Sequence, residues 1–82
     1  MSEEQLLTVY RFSSHNKEGL EKDTVCGCFH CLKVFHPSEI EDWWDDEDTA
    51  VCPHCGIDSV IGESSGTKVT EPLLKEMQEM FF

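Results

Sequence analysis

Four of the five cysteines in this 82-residue chain stand in two matched pairs, Cys28-Phe29-His30-Cys31 and Cys52-Pro53-His54-Cys55, with 20 residues between them. Two intervening residues let both sulfurs of a pair project from one tight turn. Two such turns facing each other place four soft, anionic ligands at the corners of a tetrahedron, the arrangement Zn²⁺ takes. Cys28, Cys31, Cys52 and Cys55 are therefore the predicted ligands of a single zinc ion. Four protein ligands close the coordination shell and leave no position for water or substrate, so the predicted role of the zinc is structural. Disulfides or an iron centre are the competing uses of these thiols. Cys26, in Cys26-Gly27-Cys28, lies too close to Cys28 to join the same turn. It reads as a buried free thiol, with ligand exchange or redox chemistry as the sharper alternative.

Other reactive side chains do not assemble into a known catalytic set. His30 and His54 occupy non-ligand positions inside the turns and are expected to face outward. His15-Asn16 is a tempting start for a histidine–asparagine–histidine nuclease. That chemistry needs a positioned base, a catalytic metal ligand and a surface that tolerates phosphate, whereas the six basic residues here are scattered. No phosphate-binding glycine loop, nucleophile triad or strongly spaced carboxylate pair is present. The expectation is a protein that is not an enzyme.

Charge narrows the partners. Seventeen acidic residues against six basic ones give a net charge of -11, and four thiolates with one divalent metal would carry it to about -13. Such a surface repels nucleic-acid backbones and suits a basic protein. The charge is concentrated: seven of the ten residues from Glu39 to Asp48 are acidic, and the other three are Ile40, Trp43 and Trp44. This is either a solvated face with its tryptophans packed inward or an acidic-aromatic docking surface, in which Trp43, Trp44, Asp45 and Asp46 contact a partner. A third reading is an acidic inhibitor or nucleic-acid mimic, of phage or mobile-element origin, that occupies a basic nucleic-acid-binding protein.

The elements that must position these groups follow from pattern. Residues 1–14 are an entry segment, with 6–12 reading as a short strand or as a helix starting from Ser2. A short helix is predicted over about 15–22, then a strand over 32–35 leaving the first turn. Ser38 and Glu41 form a capping-box signature, predicting an inserted helix from there to about Asp45. Residues 49–51 return as a strand, Gly56 suits a left-handed turn, and 57–61 form a second strand or turn. Thr70 caps a helix over about 71–81, with Pro72 tolerated in its first turn. Its apolar stripe of Leu73, Leu74, Met77, Met80 and Phe81 either closes over the metal module or forms a partner or homodimer interface, so Met77 and Phe81 join the candidate contact residues.

A chain this short builds a small core and benefits from a staple. It shows neither a secretory signal pattern nor a 20-residue apolar run. These features predict one domain over 1–82 in a reducing cytoplasm, with no membrane contact. Cys52-Pro53-His54-Cys55-Gly56 resembles the rubredoxin-type knuckle of zinc ribbons. The longer run CGCFHCLKVFHPSEIEDWW with CPHCGIDSVIG, residues 26–44 and 52–62, resembles a group of small, functionally uncharacterised bacterial cytoplasmic proteins over about residues 13–82. The resemblance implies a cytoplasmic, metal-stabilised domain and carries no catalytic residue across. The expected whole is an α+β zinc-ribbon domain with a short helix between the knuckles and a C-terminal helix. Its expected work is protein interaction.

Overall fold

Ser2 Oγ accepts from the Gln5 N–H at 3.2 Å while Gln5 Oε1 accepts from the Ser2 N–H at 3.0 Å. This reciprocal cap, with Glu3 and Glu4 at the positive end of the dipole, starts a helix where the apolar run alone also allowed a strand. A computed structural model describes residues 2–82 and opens with that helix, α1 (Glu3–Tyr10). Leu6 and Val9, three residues apart and so on one helical face, are buried. A second helix, α2 (Lys17–Lys22), follows. The strands are β1 (Cys26–Cys28), β2 (Val34–Phe35), β3 (Trp43–Trp44), β4 (Thr49–Ala50) and β5 (Val60–Gly62), and α3 (Glu71–Phe81) ends the chain. The fold is α+β. Among the described residues no helix is long and apolar enough to cross a membrane.

Two small antiparallel sheets carry the strands. One has the order β2-β1-β5, and the other is the β3-β4 hairpin. In the three-stranded sheet, β1 is central, with Cys26 opposite Phe35 and Gly62, and Cys28 opposite Val60. Alternation along a strand sorts its side chains to two faces, and here both faces are buried. Cys26, Cys28 and Val60 join Leu20, Phe35, Ile40, Ala50 and Cys52 in one apolar cluster, on the side of the paired cysteines. Ile61 joins Leu6, Val9, Phe29, Val69, Leu73, Leu74 and Met77 in the other, under α1 and α3. Gly27 makes the close approach of α3 feasible: a Cβ there would stand 2.8 Å from both Leu74 Cδ1 and Val69 Cγ1.

The insertion between the cysteine pairs differs from expectation. The helix predicted from Ser38 to Asp45 is only a single 3-10 turn, Pro37–Glu39. Its capping box lies two residues upstream: His36 Nδ1 accepts from the Ser38 N–H at 3.0 Å, and the His36 N–H donates to Glu39 Oε2 at 3.3 Å. The backbone is extended again at Ile40. Trp43 pairs with Ala50 and Trp44 with Thr49, and the Val51 N–H donates to Asp42 O at 3.1 Å. Cross-strand pairing and burial of Ile40 and Ala50 outweigh a weak local helix signal. The hairpin turns through Asp45, Asp46 and Glu47, all with left-handed φ of 53°, 59° and 65°. Aspartate tolerates that region better than most residues.

The segment before α2 holds this hairpin in place. The His15 N–H donates to Thr49 Oγ1 at 2.9 Å, and Thr49 Oγ1 donates to Asp45 Oδ2 at 2.9 Å. The Lys17 N–H donates to Asp48 O at 3.1 Å. Asn16 does most: buried at 6% exposure, it donates through Nδ2 to Phe12 O at 2.8 Å and Val60 O at 2.9 Å, and accepts the Ala50 N–H at 3.0 Å. One side chain thus joins the end of the entry segment, β4 and β5. Asn16→Ala strands these backbone groups and should lower stability on the order of 3 kcal/mol. Urea unfolding of the metal-loaded protein measures this, and a loss below about 1 kcal/mol contradicts the role.

Candidate metal centre

Each cysteine pair sits on a turn of the same construction. In the first, the Leu32 N–H donates to Cys28 O at 2.8 Å and the Cys28 N–H to Lys33 O at 3.0 Å. In the second, the Gly56 N–H donates to Cys52 O at 2.9 Å and the Cys52 N–H to Ile57 O at 2.9 Å. The residue after each second cysteine is left-handed, with φ of 66° at Leu32 and 77° at Gly56. The expected left-handed glycine is therefore matched by a leucine in the corresponding place, at a steric cost that glycine avoids. Backbone N–H groups point back at the sulfurs: His30 N–H to Cys28 Sγ at 3.3 Å and His54 N–H to Cys52 Sγ at 3.4 Å. Such donors favour the thiolate form.

The two turns bring four sulfurs together. Cys28 Sγ lies 3.5 Å from Cys55 Sγ, and Cys31 Sγ lies 3.7 Å from Cys52 Sγ. All four Sγ atoms fall within 4.8 Å of one another. A tetrahedron with metal–sulfur bonds of about 2.3 Å has sulfur–sulfur edges of about 3.8 Å, so the cluster has the dimensions of a four-thiolate metal site. Disulfide bonding, at about 2.05 Å, is not what these separations describe. The set can hold one metal ion.

The thiols of Cys28, Cys52 and Cys55 differ in how readily they ionise. Burial opposes charge on Cys28. Ser59 Oγ at 2.9 Å and the backbone N–H groups of Cys31 and His30 outweigh it, holding this thiol below its ordinary value. Cys52 is raised, first by burial and then by the nearby Cys28 charge. Cys55 is raised further, again by burial first and then by Cys28 and Cys52. One thiolate thus suppresses the ionisation of its neighbours, and a divalent cation is the group that allows all to ionise. Ser59, 1% exposed, is a supporting residue that sequence reasoning did not single out. It lies seven residues past Cys52, outside any ligand spacing, and only the fold carries it to Cys28.

Cys26 is not part of the cluster. It is fully buried, its Sγ donates to Phe35 O at 3.4 Å, and burial joined by the carboxylates of Glu39 and Asp23 pushes its thiol up to about 12. Strand alternation puts it on the same sheet face as Cys28, as a small apolar core residue. His30 packs edge-on to Phe82 at 4.8 Å. His54 packs edge-on to Phe35 at 5.3 Å, with Glu39 Oε1 3.4 Å from its Nε2.

The candidate contact residues separate. Met77 has no exposed surface. Sequence analysis placed it among partner contacts, but the inward face of α3 is consumed by the core beneath the sheet, and its side chain is inaccessible. Phe81 is half-buried and stacks on Tyr10 at 4.2 Å, so its ring already has an intramolecular partner. Trp43 and Trp44, adjacent in β3, point to opposite faces. Trp43 packs against the cysteine-side cluster, whereas Trp44 is 49% exposed. Asp45 and Asp46 lie exposed in the hairpin turn.

No protein-family model, curated protein or solved structure matches this chain. The donor set and its geometry are what mark the centre as a metal site.

Two outcomes test that reading. Burial, joined by the neighbouring sulfurs, pushes the thiols of Cys52 and Cys55 up, so both hold their protons more tightly than a free thiol. Metal binding must expel those protons, and its apparent affinity should strengthen as pH rises and weaken as pH falls. Calorimetric titration in buffers of different ionisation enthalpy measures the protons released, and a heat independent of buffer contradicts the thiolate assignment. In the metal-loaded fold Cys26 should resist iodoacetamide at pH 8 and become alkylated only after chelation and denaturation. Rapid native alkylation at that residue, read by peptide mass spectrometry, contradicts its burial.

Proposed function

We propose that this protein is a non-enzymatic, zinc-stabilised interaction module of the zinc-ribbon type, whose partner is a basic protein surface. Zinc is the metal best suited to an all-thiolate tetrahedral donor set with no open position, and in such a set it cross-links the chain rather than activating a substrate. The cross-link joins residues 28–31 to residues 52–55 and so fixes the hairpin that lies between them.

The observation that carries the interaction reading is the exposure of Trp44, 49% accessible beside the carboxylates of Asp45, Asp46 and Glu47. A large aromatic ring left in water at the edge of a short sheet is an anchor in search of a pocket, and the surrounding acids select a basic one. The net charge of -11 disfavours phosphate backbones as the partner.

Native mass spectrometry of the purified protein should show one zinc ion per chain, and chelation or Cys28→Ser should abolish the folded near-ultraviolet signal. A folded metal-free chain contradicts the zinc staple. For the interaction, affinity purification with the wild type and with Trp44→Ala should show recovery of a basic partner falling about thirtyfold in the variant, as for an interface anchor worth roughly 2 kcal/mol. Recovery should also fall as salt rises. Unchanged recovery removes the hairpin tip as the contact.

A further inference from the structure

Trp43, the inner tryptophan of the hairpin, forms part of a cleft. Between α2 and the 3-10 turn at Pro37–Glu39 lies a space of about 280 Å³, with Leu20, Pro37 and Trp43 as apolar walls and Glu21, Asp23 and His36 beside them. Ligand pockets for drug-sized molecules usually enclose about 300–1,000 Å³, so this one suits a single long side chain better than a metabolite.

Its chemistry points to a cation. The lining contains two carboxylate residues and no lysine or arginine. The Trp43 ring already attracts a positive charge from within the chain: Lys17 Nζ lies 5.5 Å from its centroid. Asp23 is held in place by the Ser64 N–H, which donates to its Oδ2 at 3.1 Å, so one of the two carboxylates is ordered in advance. An aromatic wall with adjoining carboxylates suits a guanidinium better than an ammonium. The flat group can stack on indole while its edge N–H groups reach carboxylate oxygens, whereas an ammonium is a strongly hydrated point charge.

We infer that the Trp43 cleft is a receptor for one arginine side chain presented by a basic segment of a partner protein. This rests on the interaction reading above and assigns the specificity element to the inner tryptophan rather than to the exposed one. Lys17 lies outside the cleft lining but 5.5 Å from the same ring, so its charge opposes an incoming cation.

The test uses the zinc-loaded chain and a labelled octapeptide of alternating arginine and glycine, with a citrulline version that keeps the shape and removes the charge. The two tryptophans give two indole N–H resonances, assigned with a Trp44→Phe variant. The arginine peptide should shift the Trp43 resonance, and the citrulline peptide should leave it in place. Glu21→Lys changes an exposed residue and should weaken binding about tenfold, Trp43→Leu should abolish it, and Lys17→Met should tighten it about threefold. The last effect has the opposite sign to that of general loss of structure. A peptide that moves only the Trp44 resonance, or binds Glu21→Lys as tightly as wild type, overturns the cleft assignment while leaving the hairpin tip as the interaction surface. Failure of the peptide to move either resonance overturns the arginine receptor. The interaction reading is then decided separately by partner recovery with Trp44→Ala.

Discussion

Four sulfur atoms that all lie within 4.8 Å of one another can be charged together only around a cation. Burial raises the pKa values of Cys52 and Cys55 first, and the charge of Cys28, whose own thiol is held low, adds to both. A divalent ion removes that conflict and turns repulsion into a cross-link between two turns 20 residues apart. In a chain this short a structural metal ion would weigh heavily: structural zinc sites are worth on the order of 10 kcal/mol, comparable to the whole net stability of a small domain. The three-stranded sheet and the hairpin are both anchored at those turns.

The sheet translates the anchor into a fold. The pleat of β1 sends Cys26 and Cys28 to the metal side, and Gly27 to the helical side. There the missing side chain lets Leu74 and Val69 pack directly on the backbone. A three-residue strand thus serves two cores. Asn16 performs a related task with hydrogen bonds, joining β4 to β5 from the loop before α2. A residue that invites a catalytic reading next to His15 is consumed in backbone bonding, and the nearby His15–Asp48 pair is solvent-exposed, with side chains 67% and 46% accessible.

Acidic and aromatic side chains reach the surfaces that this frame leaves open. The neighbouring tryptophans of β3 are divided by strand alternation, one against the core and one into water. Acidic side chains surround both, and the hairpin's left-handed turn keeps Asp45, Asp46 and Glu47 in solvent. Tyr10, Phe29 and Phe81 form an aromatic cluster in which Phe81 stacks on Tyr10 and Phe29 lies tilted to both. The terminal stripe supplies Leu73, Leu74 and Met77 to the core.

The clustering of Cys28, Cys31, Cys52 and Cys55 was legible because a chelating set depends on residue type and short spacing, both local properties of the chain. The C-terminal helix was legible for a similar reason: the Thr70 cap and the 3.6-residue stripe are local signals, and the Leu73 N–H donates to Thr70 Oγ1 at 3.3 Å. The left-handed Gly56 follows from the knuckle itself. The insertion from Ser38 to Asp48 was not legible. Its capping signature is local, but the gain from pairing Trp43 and Trp44 with Ala50 and Thr49 is not. Ser59, Asn16 and the burial of Met77 were hidden likewise, because each depends on a partner far along the chain. Sequence alone determined which atoms could bind a metal and where the amphipathic C-terminal helix lies. Tertiary structure decided which acidic and aromatic side chains remain exposed, because exposure depends on how distant segments pack, and no local pattern records that.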